Sequence, residues 1–291
     1  MKPIFIIGGS RTGSTFLQHF FNNYTDIDIM PEAHILAQPW LHKDFARAVK
    51  DNIGDLRKDG DINKLIDLMY SKKLYGVFWD GIKTSGIDIS SLKDRIIDSD
   101  RSINNIFSAL LVAHAEAKNK TICGAKFPVP MLYVDKLIAW YPECKIIHTV
   151  RDPRACFSSQ FYKHYNEKNN SIKKVKVSLA QFVYMNLQFH WSYNMYNELK
   201  NAENYFLCKY EDLILRSEKT TKALCSFLEI PFTKKMLNPR LTSISSYSET
   251  RGKNKGFQAA SVYAWKNKMP GVVSELIKII NYRLMKKLDY W

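Results

Sequence analysis

The sequence predicts an α/β fold of three layers, a central, mainly parallel sheet flanked by helices, and three observations predict it. First, short apolar runs recur along the chain. Ile4-Phe5-Ile6-Ile7 is continuous and closed by Gly8-Gly9, the pattern of a strand buried on both faces. Ile122–Lys126 and Lys145–Val150 read the same way, Ile27–Met30 is a short strand, and Tyr205–Cys208 is a weaker one. Second, helical stretches follow these runs: Ser14–Asn23, Pro130–Trp140, Pro153–Tyr165 and Ser178–Lys200. Strands alternating with helices of this length favour parallel pairing through right-handed crossovers. Third, residues from about 40 to 118 hold helical patterns (Asp61–Lys73, Arg101–Lys118) and few strand signals. They read as a helical insertion within one domain spanning 1–291. The segment Val272–Leu288 carries apolar residues at helical spacing and is expected to close the fold.

Composition narrows the class of protein. A chain of 291 residues buries an ample core without disulfides or metals. With 46% hydrophobic, 13% aromatic and 24% charged residues it is an ordinary globular sequence. No apolar run reaches the roughly 18–20 residues that span a bilayer, so no stable membrane insertion is expected. The five cysteines (Cys123, Cys144, Cys156, Cys208, Cys225) are scattered and never spaced Cys-x-x-Cys. They read as reduced, buried thiols of a cytoplasmic protein. Forty-three Lys and Arg against 28 Asp and Glu leave a net charge of +15, which points to an anionic partner without naming it.

In parallel α/β sheets ligands bind beyond the carboxyl ends of the strands, where strand order reverses. After the first strand comes Gly8-Gly9-Ser10-Arg11-Thr12-Gly13-Ser14-Thr15. Glycines between a buried strand and a helix let backbone N–H groups wrap an anion, and the helix N-terminus adds its dipole. The Gly8-x-x-x-x-Gly13 spacing is that of a Walker loop, but Ser14 stands where that motif has its lysine. Loss of that lysine argues against a nucleoside-triphosphate kinase. The loop's cation is Arg11 instead.

A second strand-loop-helix follows Lys145–Val150. In Val150-Arg151-Asp152-Pro153-Arg154, Asp152 suits the N-cap and Pro153 the first helical position. Ser159 lies two turns beyond Asp152 and Lys163 one turn further, so Arg151, Ser159 and Lys163 can converge on one phosphate, with the arginine as a fork.

Together the two loops resemble the PAPS-dependent sulfotransferases, which have a P-loop-like fold. The resemblance implies that Arg11, Thr12, Gly13, Ser14 and Thr15 cradle the 5′-phosphosulfate of 3′-phosphoadenylyl sulfate (PAPS), and that Arg151 and Ser159, with Lys163, bind its 3′-phosphate. Lys209-Tyr210-Glu211-Asp212-Leu213 is similar to the family's nucleotide-contacting turn and implicates Tyr210. Arg251-Gly252-Lys253-Asn254-Lys255-Gly256-Phe257, followed by Trp265-Lys266-Asn267, resembles its late basic glycine loop; Arg251, Gly252, Lys253, Lys255, Gly256 and Phe257 are the implied contacts. This loop departs from the common Arg-Lys-Gly-x-x-Gly form. The motifs run from Pro3 to Met269, while 40–118 matches none of them.

The resemblance also implies the chemistry: transfer of the sulfo group to an acceptor hydroxyl, with adenosine 3′,5′-bisphosphate as product and no metal. Arg11 and the strand-end Lys126 would offset charge on the bridging oxygen. Members acting on sugars or tyrosine use a glutamate soon after the second strand, which here is Glu32 in Pro31-Glu32-Ala33-His34. The small-molecule branch uses a histidine two residues after the strand-end lysine, and Lys126-Phe127-Pro128 has none. Glu32 is therefore the expected general base and His34 the second choice; the plainer reading of Glu32 is a carboxylate at a helix N-terminus, and that of Lys126 a solvated strand end. His148, inside an apolar strand, reads as a core residue. His114, His164 and His190 lack acidic or cysteine partners at metal-ligand spacing, so no metal site is expected. The glutamate tilts the acceptor towards a carbohydrate or other polar alcohol. Two other readings stand beside this one: a P-loop small-molecule kinase, and a non-catalytic basic nucleic-acid-binding protein. The leading reading needs no nucleic acid, and oligomeric state has no signal in the sequence.

Overall fold

The computed structural model of the chain describes residues 1–36, 44–127, 133–166, 171–238 and 257–291, with the backbone alone described within 162–178. Its described strands are β1 (Ile4–Gly8), β2 (Ile27–Met30), β3 (Ile122–Phe127), β4 (Lys145–Val150) and β5 (Tyr205–Lys209). They form one five-stranded, all-parallel sheet in the order β2-β3-β1-β4-β5, with helices around it. The expected α/β class is thus present. Strand order reverses beside β1 and β4, so the crevice beyond their carboxyl ends is where such a sheet binds ligands.

The chain divides into two compact units, Met1–Ile6 with Phe21–Lys145, and Ile7–Phe20 with Ile146–Trp291. In the first, β2 and β3 pair in register from Ile27↔Ile122 to Met30↔Ala125. Between them run α2 (Phe45–Asn52), α3 (Asp59–Tyr70), α4 (Val77–Gly81), α5 (Ile89–Ile97) and α6 (Ile103–Glu116). Local chemistry starts these helices. Asp44 accepts from the N–H of Arg47 at 2.9 Å, and Ser102 accepts from that of Asn105 at 3.2 Å, each satisfying an orphan donor of the first turn. The core gathers around Phe5, whose ring lies 5.6–6.3 Å from those of Phe107, Phe127 and Tyr141. The helix α7 (Val134–Trp140) is shorter than the expected Pro130–Trp140, whose first residues lie outside the described ones.

In the second unit β4 pairs with β5 from Ile146↔Tyr205 to Val150↔Lys209. The helix α1 (Ser14–Tyr24) follows β1. Then come α8 (Pro153–Asn166), α9 (Ser171–Leu199), α10 (Tyr210–Leu215), α11 (Ser217–Leu228) and α12 (Ala260–Tyr263). The helix α9 begins seven residues before the expected Ser178. The C-terminal stretch, expected as one helix, breaks at Asn281 into α13 (Gly271–Ile280) and α14 (Tyr282–Lys287). The Asn281 amide donates to the Ile277 carbonyl and to Asn186 Oδ1, at 2.9 and 2.5 Å. The backbone leaves the helical region there, with Asn281 at φ −102° and ψ 23°. Val150, Cys156, Met185, Phe189, Met285 and Leu288 share one core cluster.

His148 is a core residue, as its strand context predicts. Its ring nitrogens meet Tyr205 Oη at 2.7 Å and Ser192 Oγ at 2.8 Å, and burial lowers its pKa to about 3. The unfolded chain therefore takes up a proton near pH 6.5 that the folded chain refuses, so stability falls as pH drops from 6.5 towards 3. His148 alone contributes about 1.4 kcal/mol per pH unit in that window. Chemical denaturation at pH 7 and pH 4.5 is expected to show a smaller acid loss in His148→Asn than in the native chain; equal losses would contradict it.

Candidate active site

One group of predicted residues meets within the second unit. The loop Gly9–Gly13 leaves β1 and feeds α1, which starts at Ser14. Its shape is held from three sides. Ser10 N–H donates to Gln188 Oε1 of α9 at 2.7 Å. Thr12 Oγ1 donates to the Gly9 carbonyl and lies 2.8 Å from Thr149 Oγ1 on β4. Gly13 has φ +100°, and a Cβ there would sit 2.6 Å from Tyr210 Cδ2, so only glycine fits both backbone and neighbour. Arg11 takes the left-handed conformation, φ 69°, although it is not glycine. Such residues are held by their surroundings, and they cluster at ligand sites.

The Arg11 side chain is directed by that turn: its Nε donates to Ser159 Oγ on α8 at 2.9 Å. Arg151, expected with Ser159 and Lys163 at the 3′-phosphate, joins the same network. Its Nη1 donates to the Arg11 carbonyl at 3.3 Å and its Nη2 to the Ser261 carbonyl at 2.8 Å. The guanidinium carbon lies 4.2 Å from the centre of the Tyr210 ring, a cation–π contact, and Tyr210 Oη is 2.8 Å from Ser261 Oγ. Arg151 Nε is buried with no hydrogen-bond partner. Sequence reading placed Arg11, Ser159, Arg151 and Tyr210 as site residues; the fold joins all four into one cluster, together with Ser261, which no motif had marked. Ser14 is buried at the head of α1 and Thr15 is exposed. The Phe257 ring lies 5.4 Å from that of Phe16 of α1, tilted by 46°. The Lys163 side chain and the residues Arg251, Gly252, Lys253, Lys255 and Gly256 lie outside the described ones.

A buried scaffold underlies the cluster. Asp152 does cap α8, accepting from the Arg154 N–H at 2.8 Å and from its guanidinium at 2.8–3.2 Å. Arg154 covers the Trp265 ring at 4.4 Å. Glu211 accepts from the Asp152 N–H at 3.1 Å and from Tyr290 Oη at 2.7 Å, and burial pushes its carboxyl above the ordinary range. The neighbouring Cys156 thiol is pushed up to about 12, again by burial, and is inert as a nucleophile at neutral pH.

The first unit holds the predicted acid–base residues. Lys126, the penultimate residue of β3, places Nζ 2.7 Å from Glu32 Oε1. Only 5% of Lys126 is exposed, so the solvated strand end is replaced by a buried lysine paired with a partly exposed carboxylate. Glu32 lies in an irregular segment after β2, not at a helix N-terminus, which removes the macrodipole reading. His34 is also buried, and desolvation holds its imidazole below the ordinary histidine range. Its Nδ1 has no hydrogen-bond partner, and its ring lies 5.0 Å from that of Tyr75. Sequence spacing gave no hint of the segment that pins this loop: the Phe78 N–H donates to the Glu32 carbonyl at 3.0 Å. Beside it Gly76 has φ +132°, and a Cβ there would lie 2.3 Å from the same carbonyl oxygen. Gly76→Ala is therefore expected to destabilise the fold by about 1–3 kcal/mol. It should also displace Glu32; an unchanged melting temperature with full activity would contradict the clamp.

His114 has an acidic partner after all, Asp28 on β2, which hydrogen-bonds its Nδ1 across 86 positions. That pair is invisible to short-range spacing. Among the described residues no group of three His, Cys, Asp or Glu could hold a metal ion, and no helix is long and apolar enough to cross a membrane.

The chain belongs to the sulfotransferase family, whose model matches residues 3–234. Among curated proteins it is similar to Protein-tyrosine sulfotransferase 1 of Danio rerio, at 25% identity over 235 residues. That match covers 78% of this chain and 60% of the relative, so the chain spans less than two thirds of that protein's length. Two solved structures share the fold. The sulfotransferase domain of the Synechococcus PCC 7002 olefin synthase superposes with a TM-score of 0.62 at 17% identity, covering 100% of this chain and 95% of that one. The sulfotransferase domain from the curacin biosynthetic pathway gives 0.58 at 17% identity, covering 100% and 98%.

Proposed function

We propose that the 291 residues form a single sulfotransferase domain that moves the sulfo group of PAPS to an acceptor hydroxyl and releases adenosine 3′,5′-bisphosphate. The observation that carries this reading is the linkage Ser159–Arg11–Arg151–Tyr210, which gathers two guanidinium groups, a hydroxyl and an aromatic face within one unit. A ligand with two separated anionic ends and a flat base needs that set: charge-assisted donors for each end and a ring to stack on. The buried, unpartnered Nε of Arg151 fits the same ligand, because a desolvated donor costs free energy until an anion meets it.

In the reaction the acceptor oxygen attacks sulfur in line with the bridging oxygen of the phosphosulfate, and the bond from sulfur to that oxygen breaks. Glu32 accepts the hydroxyl proton. Arg11 and Lys126 offset the negative charge left on the phosphate. The Glu32–Lys126 pair suits this division, since the ammonium 2.7 Å away holds the carboxylate in place. The acceptor class follows from the glutamate base: a carbohydrate or another polar alcohol, with the phenol of tyrosine kept in view by the curated relative. The test is incubation with PAPS and a panel of sugars, aliphatic alcohols and tyrosine peptides. Acceptor-dependent release of adenosine 3′,5′-bisphosphate is expected. Phosphorylation of the same panel from ATP and Mg²⁺, with no turnover of PAPS, would overturn the reading in favour of a kinase.

A further inference from the structure

The apolar surface of the C-terminal helices is only partly used by the core. Ile277 of α13 and Leu284 and Met285 of α14 point inward and are buried. Beside Ile277 on α13, Val272, Leu276, Ile279 and Ile280 are exposed, Val272 at 84% and Ile279 at 66%. Their spacing (i, i+4, i+7, i+8) puts all four on one stripe about 100° wide. Just past the end of α13, Tyr282 and Trp291 pack edge to face at 4.8 Å and are both about half exposed. Lysines bracket them. Lys278 Nζ lies 4.5 Å from the Trp291 ring, and Lys286 Nζ donates to Tyr282 Oη at 3.1 Å.

Charge says what covers this face. Between 266 and 291 there are six basic residues and two acidic ones, and Lys266, Lys268, Arg283, Lys286 and Lys287 are exposed. A second copy of the chain would bring the same basic rim against itself, because a two-fold interface pairs a patch with its own image. An anionic surface meets the rim with opposite charge. An apolar stripe flanked by Trp, Tyr and lysines is also the pattern of a helix that lies in the plane of lipid headgroups. We propose that α13 and α14 dock the protein on an anionic lipid surface, with Val272, Leu276, Ile279 and Ile280 entering the headgroup boundary and the lysines meeting lipid phosphates and carboxylates. This is peripheral binding, distinct from insertion, and independent of the sulfotransferase reading.

The experiment is co-sedimentation of the full chain with vesicles of phosphatidylcholine alone and of phosphatidylcholine mixed with phosphatidylserine. Binding to the mixed vesicles, weakened by salt, is expected, with little binding to the neutral ones. Ile279→Glu should reduce it about tenfold or more. The double variant Lys286→Glu/Lys287→Glu should reduce it further, roughly fivefold for each lost cation. These positions are exposed, and melting temperatures close to the native value would show that the fold is kept. Failure to bind the mixed vesicles, or binding that Ile279→Glu leaves unchanged, would overturn the proposal. So would a concentration-dependent dimer that Ile279→Glu dissolves in the absence of vesicle binding, which would assign the face to a second copy.

Discussion

Glu32→Gln is expected to lower kcat by about 10²–10⁴-fold while leaving the affinity for adenosine 3′,5′-bisphosphate unchanged. The substitution removes the proton acceptor but keeps an oxygen that Lys126 can still donate to at the 2.7 Å distance of the native pair. Folding should therefore suffer little. Glu32→Ala removes that oxygen as well and deprives a buried ammonium of its carboxylate partner, so it should cost of the order of 1–3 kcal/mol more stability than Glu32→Gln. The contrast between the two variants separates chemistry from scaffolding. Initial rates with saturating PAPS, calorimetric nucleotide affinity and melting temperature are the three readouts. Turnover retained in Glu32→Gln would remove Glu32 as the base and pass the role to His34, whose lowered pKa keeps it neutral and able to accept a proton.

Arg151→Ala should weaken adenosine 3′,5′-bisphosphate by roughly 10–150-fold, the loss of a charge-assisted hydrogen-bonding fork worth about 1.5–3 kcal/mol. Nucleotides without a 3′-phosphate should lose far less. Some general loss is expected, because Arg151 also bonds the Arg11 and Ser261 carbonyls and so supports the loop itself. The ratio between the two ligand classes is therefore the informative quantity. Arg151→Lys keeps a charge but not the planar fork, and it should fall between the native chain and Arg151→Ala. Equal losses for nucleotides with and without the 3′-phosphate would break the assignment of Arg151.

Much of this was legible in the sequence because the relevant signals are local. A buried parallel strand announces itself as a short apolar run, and all five described strands fall within a residue of the runs that predict them, from β1 at Ile4 to β5 at Tyr205. The loop after β1 and the Arg151–Ser159 pair were readable for the same reason: each lies within one strand-turn-helix. What the sequence hid are contacts made across long separations. Gln188 holds Ser10, Ser261 holds Arg151, Tyr290 holds Glu211, and Gly76 with Phe78 holds Glu32. None of these has a spacing that periodicity or a motif detects. The break at Asn281 is hidden because apolar residues recur at helical spacing on both sides of it, and only the asparagine's backbone, at φ −102° and ψ 23°, parts the two halves. The exposed stripe on α13 was not legible, because apolar residues at helical spacing read from sequence as a buried face.

The most direct test of the central claim is a calorimetric titration of the native chain with adenosine 3′,5′-bisphosphate and, separately, with ATP and Mg²⁺. Two anion sites joined through Arg11 and Arg151 predict that the bisphosphate binds at least about tenfold more tightly than ATP. Tighter binding of ATP, or equal binding of the bisphosphate and plain adenosine 5′-phosphate, would contradict it.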